Sequence, residues 1–148
     1  MPINHAMWAH GHSMAVENPS ALVSEWRAGF FIRTIGRAGS TNWFHFGIPT
    51  PVIVDDDRLT IDSALVRLKS AGRGARVTHV HVFDGERRVA AHDGLSVAPT
   101  GWEMLRWPVP GRPEVLWGVG VTLGVAFSGA SDAENTLELA SAGVDFFG

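Results

Sequence analysis

The chain has 148 residues, 45% of them hydrophobic and 18% charged, with a formal net charge of -3. That length and balance suit one domain with a sizeable core and exclude a disordered chain. Twelve Lys and Arg without a basic block speak against a phosphate-tracking nucleic-acid surface, and the lack of cysteine excludes disulfides, thiolate metal sites and a cysteine nucleophile.

There is no Tyr to act as general acid, yet there are six Trp and eight Phe. The start, Met1-Pro2-Ile3-Asn4-His5, has neither the positive region nor the apolar region of a secretion signal, so the expected address is the cytoplasm. No apolar run reaches about 18 residues, so no membrane-spanning helix is expected.

Alternation of apolar and polar residues, the period of a half-buried strand, runs through most of the chain. Glu25 to Ile35 places Trp26, Phe30 and Ile32 on one face, against Arg27 and Arg33. Thr41 to Ile48 sets Phe44, Phe46 and Ile48 against Trp43 and His45, and Pro49-Thr50-Pro51 ends it. Val52-Ile53-Val54 is a short strand before a turn at Asp55-Asp56-Asp57. From Leu59 to Lys69 the apolar phase slips, which predicts a bulge near Ser63. Val77–Phe83 and Arg87–His92 flank Asp84-Gly85, a hairpin signal. Pro99 to Pro113, with four prolines, reads as a long ordered loop. Val115 to Ser128 alternates most strictly: Val115, Trp117, Val119, Val121, Leu123, Val125 and Phe127 against Leu116, Gly118, Gly120, Thr122, Gly124, Ala126 and Ser128. At about 3.3 Å per residue that run would span roughly 45 Å, so a bend at one of its glycines is expected. Ser131 to Leu139 reads either as a short capped helix or as the lead into a last strand through Val144, Phe146 and Phe147. Some eight strands at this spacing predict a single all-β domain over residues 1–148, an antiparallel β-sandwich of jelly-roll type or a closed barrel.

Several groups of residues carry chemistry. With Asp84-Gly85 as a two-residue loop, His81 would pair with Arg88 and His79 with Ala90, leaving His79, His81, His92, Glu86 and Arg88 on one face. Two histidines at i and i+2 on a strand can reach one metal ion, and Glu86 could add a third ligand. His79-Val80-His81 followed by Glu86 resembles the metal motif of cupins, although its glycines are displaced and Arg88 would oppose a cation. His5, His10 and His12 form a second histidine group. Trp43, beside His45, and Trp102 and Trp107 in the proline-rich loop are the better candidates for stacking on a ligand such as a sugar ring; Trp26 and Trp117 fall on core faces.

Other motifs lack their context. Gly11-His12-Ser13-Met14-Ala15 resembles a hydrolase nucleophile elbow without the parallel sheet that motif needs. Asp55-Asp56-Asp57 lacks the every-second-residue spacing of a calcium loop, and the short glycine pairs read as turns.

Asn42-Trp43-Phe44-His45-Phe46 leading to Ile48-Pro49-Thr50-Pro51, Val80-His81-Val82-Phe83-Asp84-Gly85, and Pro113-Glu114-Val115-Leu116-Trp117-Gly118 together resemble a family of small bacterial, mostly actinobacterial, domains of unknown function. The resemblance covers most of the chain, implies a compact all-β domain and brings no catalytic residues with it. The leading expectation is therefore a binding module that self-associates, since the small face holding Gly118, Gly120 and Gly124 would admit another surface and a homo-oligomer would cover edge strands. The alternatives are a cupin-like enzyme holding a divalent transition metal through His79, His81 and Glu86, and a metal-free enzyme with His45 or His92 as general base in an enclosed pocket.

Overall fold

The computed structural model describes residues 3–148; Met1 and Pro2, with which the segment expected to lack a secretion signal begins, lie outside the described residues. The described residues form strands β1 (His5–His10), β2 (Ala15–Val16), β3 (Leu22–Arg27), β4 (Ile32–Gly36), β5 (Ser40–Gly47), β6 (Ile53–Val54), β7 (Asp57–Arg58), β8 (Thr60–Ser70), β9 (Ala75–Asp84), β10 (Arg87–His92), β11 (Glu103–Pro108), β12 (Val119–Phe127) and β13 (Thr136–Phe147). Sheet A has the order β11-β8-β13-β4-β3, with β1 also on β13; sheet B has the order β10-β9-β12-β5-β2; β6 and β7 form a separate hairpin. All pairs are antiparallel. The chain passes back and forth between the sheets, giving a jelly-roll-like sandwich and not a closed barrel. No helix among the described residues is long and apolar enough to cross a membrane.

Period-2 alternation drives the layering. β12 buries Val119, Val121, Leu123, Val125 and Phe127 and turns Gly120, Thr122, Gly124 and Ala126 outward. Phe44 and Phe46 of β5, Val80 and Val82 of β9, Val66 and Leu68 of β8, and Leu139, Val144 and Phe146 of β13 close the same core. Each such side chain contributes about 1.5–3 kcal/mol by leaving water. Gly36 is required where it stands, because a Cβ there would run into the Phe127 ring.

Where alternation misleads, a local break explains it. Gly118 adopts φ 145, so β12 starts only at Val119 and Trp117 is 71% exposed instead of buried. Residues 25 to 35 are two strands joined by a turn, and Trp26 faces outward, 53% exposed. The proline-rich stretch contains β11, which pairs with β8 and buries Trp107 in the core. Ser131–Asn135 is a turn leading into β13, the strand alternative for that region. The slip near Ser63 is a bulge at Asp62, since Asp145 pairs with Ser63 and Phe146 with Ile61. β1 carried no strand signal in its own sequence.

The β9–β10 hairpin differs by one residue from its expected register. Asp84 pairs with Arg87, so Gly85-Glu86 is the two-residue loop, and a bulge at Val89 then sets Ala91 opposite His81. Asp84 is the reason. Its carboxylate is buried and accepts hydrogen bonds from the amides of Leu116 (2.8 Å), Trp117 (2.9 Å) and Gly118 (3.0 Å) and from the Arg87 guanidinium (3.2 Å). Burial alone would raise its pKa; the Gly118, Trp117 and Leu116 amides and Arg87 outweigh that and hold it below the ordinary aspartate value. Asp84 thus fastens the 116–118 loop to the end of β9.

Asp84→Ala is expected to cost about 1–3 kcal/mol at pH 7, measured by urea unfolding, because three loop amides and Arg87 lose their buried acceptor. A depressed folded pKa contributes stability above the unfolded value of about 3.9 and loses it as pH falls through the lower folded value. The gap between wild type and variant should therefore narrow on acidification below about pH 4.

Candidate functional site

Three cross-strand rows build the outer face of sheet B. Gly124 of β12 lies between Trp43 of β5 and His79 of β9; Thr122 lies between His45 and His81; Gly120 lies between Gly47 and Phe83. The middle strand is small, and the flanking strands carry rings. The result is an open groove of about 530 Å³, lined by Glu17, Trp43, His45, Phe46, Gly47, His81, Phe83, Gly120 and Thr122.

A bulge selects which β9 residues face this groove. Gly124 pairs with His79 but Val125 pairs with Val77, so Thr78 is the extra residue. Val77 can then join Val80 and Val82 in the core while His79 and His81 point outward. The Thr78 hydroxyl meets the Gly124 carbonyl at 3.2 Å and His79 Nδ1 at 2.8 Å, fixing the first imidazole.

Trp43 is wedged against both imidazoles, with ring centroids 5.3 Å from His79 and 5.2 Å from His81. His81 Nε2 lies 2.7 Å from Asp93 Oδ1, and His79 Nε2 lies 3.9 Å from the same oxygen. The hydrogen bond from His81, with the nearby charges of His81, His79 and Arg88, keeps the Asp93 carboxyl below its usual pKa. Across the groove, His45 Nε2 is 3.0 Å from Glu17 Oε1 and His45 Nδ1 is 2.7 Å from Thr122 Oγ1. A carboxylate only accepts, so Nε2 carries the proton in both imidazole–carboxylate pairs, and in the neutral ring of His45 Nδ1 accepts from Thr122.

Both carboxylates come from connecting segments. Asn18 and Asn42 exchange hydrogen bonds of 3.1 and 2.8 Å, and the Glu17 amide donates to the Trp43 carbonyl at 2.9 Å, so Glu17 is docked on β5. Asp93 follows β10; the chain turns at Gly94 (φ 66) and returns with the Leu95 amide on the Thr78 carbonyl, 2.9 Å away.

The Thr122–His45–Glu17 line has the connectivity of a nucleophile–base–acid relay. Thr122, however, sits in mid-strand between β5 and β9, where the neighbouring amides serve the ladder and none is free as an oxyanion donor. The arrangement is suited to hydrogen-bonded recognition: a floor of two glycines and one threonine, one indole face, and imidazoles and carboxylates along the rims.

Of the residues singled out in the sequence, Trp43, His45 and His81 line this groove, and His79 stands beside it against Trp43. Glu86 does not join the two histidines, because it occupies the hairpin loop beyond Asp84. Among the described residues no three or more His, Asp or Glu side chains stand as a metal-holding group. Trp102 lies against Phe30 and Phe31 on the other sheet, and Trp107 is 8% exposed in the core, so it is a packing residue. His92 Nε2 lies 2.8 Å from the Pro108 carbonyl, outside the groove. His10 and His12 pack together, 4.5 Å between centroids, where β1 leads out of sheet A. Gly11–Ser13 is a short 3-10 turn between antiparallel strands, so no nucleophile elbow forms. Phe83 was readable from its parity with His79 and His81; Glu17 and Asp93 left no signal, since only tertiary pairing brings their loops here.

The two floor glycines differ in what they tolerate. A Cβ on Gly124 would stand 3.0 Å from His79 and from the Trp43 ring, whereas one on Gly120 would meet only the Phe46 carbonyl, at 3.7 Å. Gly124→Ala is expected to displace Trp43 and lower stability by about 1–2 kcal/mol, with altered indole fluorescence. Gly120→Ala should leave the denaturation midpoint and emission unchanged.

Comparison with solved structures places this architecture. The xylan-binding module CBM86 from Roseburia intestinalis, described as of low affinity, superposes with a TM-score of 0.57 at 11% identity, over 97% of each chain. The C-terminal CBM6 of LamC, a marine laminarinase from Zobellia galactanivorans, gives 0.55 at 15% identity, over 95% of this chain and 99% of that one. A mutant of a family 29 carbohydrate-binding module gives 0.51 at 8% identity, over 95% and 92%. At these identities the likeness establishes a shared β-sandwich fold. No curated protein matches the chain significantly in sequence. The model of the family of unknown function DUF6623 spans residues 1–148, and the chain belongs to that family.

Proposed function

We propose that this domain is a non-catalytic saccharide-binding module whose site is the sheet B groove. The observation that carries the reading is the Trp43 indole standing over Gly124 on a floor of glycines and Thr122, with polar groups along both sides: His79, His81 and Asp93 on one, His45 and Glu17 on the other. A sugar ring needs an aromatic face for its C–H patch and acceptors and donors in the plane of its hydroxyls. The groove is open, which suits a chain passing along the sheet. The named carbohydrate-binding activities of modules sharing the fold are consistent with this reading.

The imidazole–carboxylate pairs fix the ring orientations before a ligand arrives. That lowers the ordering cost of binding. The same pairs leave the Glu17 and Asp93 carboxylates 55% exposed, where sugar hydroxyls can replace water with little loss.

Affinity electrophoresis and calorimetry against a panel beginning with xylan and laminarin test the reading. Trp43→Ala should weaken binding by roughly tenfold, the worth of an aromatic stacking contact of about 1.5 kcal/mol. Gly120→Leu should abolish binding by filling the floor, with the far-ultraviolet circular dichroism unchanged. If no polysaccharide in a broad panel retards the protein, or Trp43→Ala binds like wild type, the reading is wrong.

A further inference from the structure

The outer face of sheet A carries a second aromatic construction, separate from the groove. Register aligns Trp26 (β3), Arg33 (β4), Glu138 (β13) and Lys69 (β8) in one cross-strand row. Arg33 Nε lies 3.0 Å from Glu138 Oε1, and its guanidinium stacks over Trp26 at 4.9 Å and over Phe31 at 5.4 Å. The β3–β4 turn folds back over the sheet, so Phe31 is buried and Phe30 lies beside it, 4.6 Å between centroids. From the opposite edge comes Trp102, 5.9 Å from Phe30 and 6.0 Å from Phe31, with the Arg67 guanidinium 5.9 Å over its ring.

Two features of this construction point to a ligand. Trp26 and Phe30 remain 53% and 59% exposed although the rings and Arg33 hold them in place, so their faces are presented ready-made. Beside them runs a trough of about 410 Å³ whose walls include Arg33, Lys69, Thr100, Thr136 and Glu138. Arg33 and Glu138 neutralise each other. Arg67 and Lys69, two positions apart on β8, make no ion pair among the described residues. An apolar platform thus adjoins two cations that no ion pair engages, and the trough beside it carries the Thr100 hydroxyl, that of Thr136 being spent on the Asp132 carbonyl.

We infer that the outer face of sheet A is a second ligand site, selective for a carboxylate-bearing saccharide: sugar C–H faces lie on Phe30, Trp26 and Trp102, and the uronate carboxylate lies between Arg67 and Lys69. This site shares with the sheet B proposal only the class of ligand; no residue belongs to both. Two cations suit an isolated carboxylate, and hydrogen bonds between charged partners are the stronger kind. Rings in fixed positions meet the ligand at low ordering cost.

Calorimetry with tetragalacturonate and its methyl ester, on wild type, Lys69→Gln, Phe30→Ala and Trp43→Ala, tests the assignment. The acid should bind; Lys69→Gln, Phe30→Ala and esterification should each weaken it by roughly tenfold, as expected for a partly desolvated ionic or stacking contact. Salt should weaken it further, and Trp43→Ala should leave it unchanged. Equal binding of acid and ester, loss of binding in Trp43→Ala, or no binding by wild type would each overturn the assignment. So would a concentration-dependent dimer that Phe30→Ala dissolves, since the rings would then be covered by a second copy. Neutral glycans that bind nowhere would sink the sheet B reading alone.

Discussion

A central strand cannot bury one face without presenting the other, and the geometry of this molecule depends on how β12 resolves that constraint. Its bulky residues, Val121, Leu123 and Val125 among them, all fall on inward positions. Its outward positions are glycine, threonine, glycine and alanine. A strand with large residues on both faces would give an equally good sheet with a convex, filled surface. Because β12 carries only small residues outside, the rings of β5 and β9 stand as walls on either side of it, and a trench forms along a surface that is otherwise a flat ladder.

The walls are stiffened by electrostatics as well as packing. Each rim has an imidazole whose far nitrogen is occupied by a carboxylate, Asp93 for His81 and Glu17 for His45. Exposed ion pairs of this kind add little to folding stability. Their contribution is positional: they select a tautomer, stop ring rotation and hold a half-exposed carboxylate at each rim. The segments bearing the two carboxylates are themselves tied to the sheet, through Asn42 in one case and the Gly94 turn in the other.

The sequence already shows much of this. The parity of Trp43 and His45 against Phe44 and Phe46, the His79–His81 pair, and the small face of β12 were all readable, and they specify three neighbouring walls and a floor. What escaped was whatever depends on a broken period. The Thr78 bulge decides that Val77 turns inward; Gly118 ends the alternation that would have buried Trp117; the turn between β3 and β4 leaves Trp26 on the surface. Residues such as Glu17 and Asp93 had no local signal because their positions are set by partners about 25 and 15 residues distant along the chain. Trp107 was misplaced for the opposite reason: a strand hidden among prolines is still a strand when its amides find β8.

The order in which the strands join their sheets has a kinetic consequence. β12 and β13 are the hubs of sheets B and A, pairing with strands on both sides, and they are the last two strands along the chain. Until they arrive, β5 and β9 have no partner between them, and β8 and β4 are likewise held apart. Apart from the β3–β4, β6–β7 and β9–β10 hairpins, the strand pairings are therefore long in sequence, and closure entropy must be met before they form. Such a chain folds on the slow side of its size class, from milliseconds to seconds. During synthesis its first hundred or so residues expose unpaired strand edges until the final segment threads into both layers.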